Sequence, residues 1–233
     1  MTPKLLFTIL FGSFLLTGSM AKAQSKDSIP VTWNKTAFKL RQLYIPLGLI
    51  ATGISLNSNA QESFKMEIKE ERNEYFHSFR THLDDYLQYS PIAIAYALDA
   101  AGIKSRTDVV NRSVILLKGE LLMMGLTTAG KSMFHQLRPD GSSYTSFPSG
   151  HTAQAFAAAT FLSEEYKHRF KWMPYAAYAL ASVVGGLRIA NNKHYVSDVI
   201  AGAGVGILSM KLSYWTHQYK WGRHKSKENM VLF

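Results

Sequence analysis

Cysteine is absent from all 233 residues, which removes disulfides and thiolate metal sites together. A chain of that kind suits an oxidising compartment. Strand signals are scarce as well: there is little period-two alternation and no Asn-Gly hairpin. Acidic residues are outnumbered 16 to 26 by Lys and Arg, giving a formal net charge of +10. Yet no run of arginines alternates with aromatics in the manner of a nucleic-acid groove. The basic residues fall in short clusters between apolar segments, a pattern suited to anionic lipid or phosphate rather than to DNA. No internal repeat, low-complexity segment or clustered carboxylate site stands out, and the length allows one substantial domain.

What is present begins at the N-terminus. Lys4 is followed by an apolar stretch from Leu5 to Leu16 and then by Ala21-Lys22-Ala23 before Gln24. That is the form of a cleavable export signal, with an uncleaved anchor as its alternative. Residues 1–23 are therefore assigned to a signal peptide, 24–42 to a polar segment, 43–216 to a helical bundle and 217–233 to a basic tail. Without Lys4 and Lys22 the chain would carry +8.

Six apolar stretches of helical character follow, at 43–56, 92–103, 114–134, 153–162, 172–187 and 196–215. They predict an all-α fold, a bundle of about six helices with its site at one end. Most are shorter than the ~20 residues of a full membrane span, and 114–134 holds Lys118, Glu120 and Lys131. Basic residues nevertheless concentrate at 104–112, 167–171 and 220–227, as cytoplasmic loops of a membrane protein would. An exported N-terminus and that bias conflict in parity. Either the stretch with Asp99 does not cross, or the bundle is soluble and periplasmic. The run from 62 to 85 reads as a solvated amphipathic helix, or one lying on a bilayer. Asp99 and Glu120 read as paired structural charges, Met123 and Met124 as packing, and His135 as a helix-surface residue.

Three local patterns carry chemistry. In "KSMFHQLRP", Lys131 and Arg138 are seven apart, one helix face by spacing, and Pro139 should end the helix at Arg138. Two cations at a helix end suit a phosphate, though they also complement the dipole without any ligand. In "PSGH", Ser149 can cap a helix, Gly150 lets backbone approach an anion, and His151 can donate a proton. In "LRIANNKHYVSD", His194 and Asp198 are four apart, a helical pairing that would orient the imidazole, with Arg188 at the preceding helix end.

Together, K-x6-RP, PSGH and R-x5-H-x3-D resemble the signature of the type 2 phosphatidic acid phosphatase and vanadium haloperoxidase superfamily, in its membrane-associated lipid phosphatase branch. Ten identities match at fixed internal spacing. One position departs: Leu187 stands where the family often has serine. The resemblance implies that His194 is a nucleophile forming a phosphohistidine, that Asp198 orients it, and that His151 protonates the leaving alkoxide. It further implies that Lys131, Arg138, Ser149, Gly150 and Arg188 hold the phosphoryl oxygens, with no metal and no cofactor.

The expectation is thus a metal-independent phosphatase of the bacterial cell envelope, in the inner membrane with its site facing the periplasm. Its partners would be the membrane and a phosphorylated lipid, not nucleic acid. Lipid A, phosphatidylglycerol phosphate, phosphatidate and undecaprenyl pyrophosphate are the candidate substrates, lipid A ranking first. The alternatives are a soluble periplasmic acid phosphatase, a vanadium haloperoxidase and a non-catalytic lipid binder.

Overall fold

The computed structural model describes residues 39–58 and 63–218. The expected signal peptide and almost all of the basic tail lie outside them. A short 3-10 turn, Leu40–Leu43, leads into eight α-helices. These are α1 Tyr44–Ser55, α2 Phe64–Tyr75, α3 Leu83–Leu87, α4 Ser90–Ala100, α5 Val109–Phe134, α6 Gly150–Tyr166, α7 Met173–Ala190 and α8 Val196–Thr216. No strand occurs among the described residues, so the all-α expectation holds.

All six expected helices are present, several of them longer than their apolar runs. Asp108 caps α5, its carboxylate accepting from the amides of Val110 and Asn111, so the helix begins ahead of its apolar run. The run at 62–85 is not one solvated helix. It breaks after Tyr75 and resumes as α3, and Asp84 within it is fully buried. Nor are Asp99 and Glu120 equivalent: Asp99 pairs with Arg112 at 3.3 Å, whereas Glu120 accepts from the neutral amide of Gln154 at 2.8 Å.

Helix α6 is the axis of the bundle, buried on nearly every side from Thr152 to Tyr166. Its alanines let α8 approach to backbone contact. A Cβ at Gly206 would meet the Ala153 carbonyl oxygen and sit 2.8 Å from the Ala157 nitrogen, and one at Gly202 would lie 2.6 Å from the Ser149 carbonyl oxygen. On the other face of α8, Gly204 gives the same access to α1 at Pro46. These contacts fix where the first turn of α8 stands relative to the first turn of α6.

Among the described residues α8 alone is long and apolar enough to cross a membrane, and 67% of its apolar window is buried in the bundle. Helix α5 has two faces. Arg112, Ile115, Gly119, Met123 and Thr127 point inward, while Leu117, Leu121 and Met124 form an exposed apolar stripe at helical spacing. The two methionines thus part company, Met123 in the core and Met124 outside.

Candidate active site

Three loops converge at the ends of α5, α6 and α7. Lys131 lies in the last turn of α5, and its Nζ donates to the Thr145 carbonyl at 2.6 Å. The helix does not continue to Arg138. His135 takes a left-handed conformation, φ 39°, its amide returns to the Lys131 carbonyl, and its ring stacks on Tyr144 at 5.1 Å. Arg138 therefore reaches the site from the loop rather than from the helix face shared with Lys131. A turn positions it: the Arg138 amide donates to the Ser143 carbonyl, and the amide of Gly141, at φ 74°, donates to the Arg138 carbonyl.

The same loop is tied to the one carrying His194. Lys193 donates to Asp140 at 2.7 Å. Burial alone would raise the Asp140 carboxyl, but the bonds from Lys193 and Ser142 outweigh it and hold the group at about 2.

Ser149 is the N-cap of α6, as expected. Its hydroxyl accepts from the Thr152 hydroxyl at 2.9 Å, and its amide donates to the Asp198 carbonyl at 3.0 Å. In front of Gly150 the space where a Cβ would stand is open. One residue further, His151 Nε2 lies 2.8 Å from Asp85 Oδ1.

His194 precedes α8 rather than riding on it, because Tyr195 is the helix N-cap. The pairing with Asp198 survives by a different geometry. Asp198 sits at the third helical position, where its carboxylate reaches back to accept the Tyr195 amide at 3.0 Å in a capping box. The same oxygen lies 3.3 Å from His194 Nδ1 and accepts from Ser146 Oγ at 2.5 Å. A carboxylate can only accept, so the His194 proton belongs on Nδ1 and the Nε2 lone pair is left available. Burial pushes the His194 imidazole down to about 4, against the pull of Asp198 and with help from the fields of Arg188 and Lys131. It is neutral near pH 7.

Arg188 ends α7 and donates from Nη1 to Asp84 at 2.5 Å. Asn191 holds the other Asp84 oxygen at 3.0 Å, its own amide supported by the Leu187 carbonyl. The guanidinium of Arg138 is lowered by burial and next by the neighbouring Arg188. Both arginines present a buried Nε with no hydrogen-bond partner among the described residues. Two cations brought together with unspent donors are an arrangement for an anion of two or more oxygens.

The structure thus brings Lys131, Arg138, Arg188, His194 and Asp198 into one electrostatic neighbourhood, with Ser149, Gly150 and His151 on its rim. Sequence reasoning missed Asp84, Asp85 and Ser146. The Asp-Asp doublet was the available signal, obscured by the charged residues around it. Asp84, Asp85 and His151 also bring three potential ligand atoms within 4.8 Å of one another. With both Asp84 oxygens taken by Arg188 and Asn191, that group reads as a hydrogen-bonded network rather than a metal centre.

Such an all-helical fold and site suit an anion of two or more oxygens, and the chain is similar to the following proteins. The PAP2 superfamily model matches residues 113–222. That match covers just under half of the chain. A lipid A 1-phosphatase of Porphyromonas gingivalis is 43% identical over 139 residues, which are 59% of this chain and 31% of that protein. The chain therefore spans about a third of the length of that curated relative. Among solved structures, Aquifex aeolicus LpxE overlaps 62% of this chain and 92% of its own, with TM-score 0.46 and 23% identity. The transmembrane PAP2-type phosphatidylglycerolphosphate phosphatase of Bacillus subtilis overlaps 77% and 100%, with TM-score 0.46 and 22% identity.

Proposed function

We propose that this chain is a lipid phosphatase that works through a phosphohistidine on His194. One observation carries the reading: a buried, neutral His194 backed by Asp198 stands beside two arginines whose Nε donors are unspent. In the proposed reaction His194 Nε2 attacks phosphorus in line with the departing alkoxide. Lys131, Arg138, Arg188 and the Gly150 amide receive the three equatorial oxygens, where charge gathers in the transition state. His151 gives its proton to the alkoxide and then takes one from the water that hydrolyses the N–P bond.

For the substrate we favour lipid A carrying a 1-phosphate, on the 43% identity to a lipid A 1-phosphatase. Phosphatidylglycerol phosphate, phosphatidate and undecaprenyl pyrophosphate are the competing lipids. The exposed stripe of Leu117, Leu121 and Met124 supports a bilayer rather than water as the surroundings of α5. With the signal-like N-terminus, it supports a proposed location in the inner membrane with the site at the periplasmic surface.

The test is phosphate release from each of the four lipids in EDTA, alongside His194→Ala. Release from one of them that survives chelator and is lost in His194→Ala supports the reading. Full activity of His194→Ala, or abolition by EDTA, overturns it. Extraction from membranes by carbonate would instead favour a soluble acid phosphatase.

A further inference from the structure

Helix α3 lies outside the region that matches the superfamily, yet its two aspartates each hold one motif residue. Asp84 takes Arg188, and Asp85 takes His151 at 2.8 Å. We propose that Asp85 is the positioning residue of the general acid, receiving the Nε2–H of His151 so that Nδ1 is the atom that exchanges protons with the substrate. This rests on the phosphatase reading above.

The argument is geometric. An imidazole at the mouth of α6 has two nitrogens, and only one can face the leaving oxygen. A carboxylate has no proton to give, so the nitrogen it touches must be the one bearing hydrogen throughout. In the imidazolium form both nitrogens carry protons. As the bond from phosphorus to the alkoxide oxygen breaks, the Nδ1 proton passes to that oxygen and the N–P bond to His194 forms. The neutral ring that remains keeps Nε2–H on Asp85 and presents a lone pair at Nδ1. Water then loses a proton to Nδ1 while its oxygen bonds phosphorus, and the N–P electron pair returns to His194. Both steps balance, and the tautomer needed for the second is the one the first leaves behind.

The scaffold around Asp85 is built to hold it. Asn191 donates to the Thr81 carbonyl at 2.9 Å and accepts from the Thr81 amide at 2.9 Å, clamping the chain just before α3 onto the end of α7. Gln88 Nε2 bonds the Asp85 carbonyl at 2.9 Å. The charged and titratable groups facing His151 are Asp84 and Asp85 from α3 and Arg188 from α7, with His82 on the far oxygen of Asp85 at 3.2 Å. The bond from His151 is also the leading reason the Asp85 carboxyl lies below its ordinary value. Side-chain exposures of 31% for His151 and 45% for Asp85 leave the pair reachable by substrate.

The experiment uses the full chain and two amphiphiles with one tail, one leaving as an alkoxide and the other as a nitrophenoxide. An alkoxide needs the acid and a nitrophenoxide does not. Asp85→Asn is expected to lower kcat/KM for the alkyl ester by about 10- to 100-fold, with the nitrophenyl ester changed less than about threefold. The basic limb of its alkyl pH profile should move to lower pH, and Asp85→Glu should recover part of the loss. Equal losses on both esters, or none on either, would overturn the inference. His194→Ala is the control for the underlying reading: it should abolish both, and persistence of phosphate release there would count against the phosphatase proposal itself.

Discussion

Arg72 donates from Nε and Nη2 to the carbonyl of Ala190, at 2.9 and 2.8 Å. Ala190 is the last residue of α7, two beyond Arg188, so a side chain from α2 caps the helix that carries the arginine proposed to bind phosphate. Charged donors on a helix-end carbonyl contribute about 1.5–3 kcal/mol each in favourable settings. Arg72→Met keeps the packing stem and removes both. It is expected to cut kcat/KM about tenfold and to open the chain between α2 and α3 to protease. Wild-type kinetics with wild-type cleavage would show that the cap has no bearing on the site.

Ser146 should matter although no motif contains it. Its hydroxyl makes the shortest bond to Asp198, which in turn faces His194. Ser146→Ala leaves Asp198 with the Tyr195 amide, the Ser197 hydroxyl and His194 but frees its orientation. The expected result is a kcat lower by about 10- to 100-fold with KM little changed, as for other losses behind a reacting group. Steady-state kinetics on the preferred lipid decide it, and a change confined to KM would place Ser146 in binding instead.

His194 has a folded-state value near 4, below the ordinary imidazole value of 6.5. Between those values the unfolded chain binds a proton that the native site refuses. Stability from this group is therefore complete above about pH 6.5 and is lost as pH falls towards 4. The proposed nucleophile also stays unprotonated over the same window, so the acidic limb of kcat/KM should fall near pH 4. A limb at 6.5 would mean that His194 is not desolvated in the working protein.

Gly206→Ala and Gly125→Ala form a matched pair on two helices. The first forces a methyl against the Ala153 carbonyl, while nothing stands within 4 Å of the second. Thermal unfolding in detergent should show Gly206→Ala destabilised by about 2 kcal/mol or more. Gly125→Ala should be neutral or stabilising by up to about 1 kcal/mol, as glycine removal from an exposed helix predicts. Similar shifts for both would mean that α6 and α8 are not at backbone contact.

Six of the helices, and the gathering of the eight candidate residues at one end of the bundle, were legible because each left a local trace, an apolar run or a fixed spacing. The spacing of Lys131 and Arg138 misled, since it assumes helix where His135 turns the chain out by a left-handed residue that no pattern announces. His194 and Asp198 met for a reason other than helical periodicity: a capping carboxylate curls back over the residues before its helix. Asp84 was hidden for a further reason. Its burial depends on Arg188, 104 positions away, and the charged stretch around it looks solvated when read without that partner. Glu120 was assigned an ionic partner where the fold provides only an amide.

The division of labour between α3 and the matched region bears on how such proteins can be compared. Every residue of the three motifs lies within 113–222, while the carboxylates that hold two of them do not. Two chains with identical motifs thus differ in what surrounds those motifs if one supplies α3 and the other something else at that end of the bundle. A segment grafted from 113 onward would keep the full signature and lose Asp85. Sorting members by what they place against His151 and Arg188 would separate machines that the signature alone makes indistinguishable.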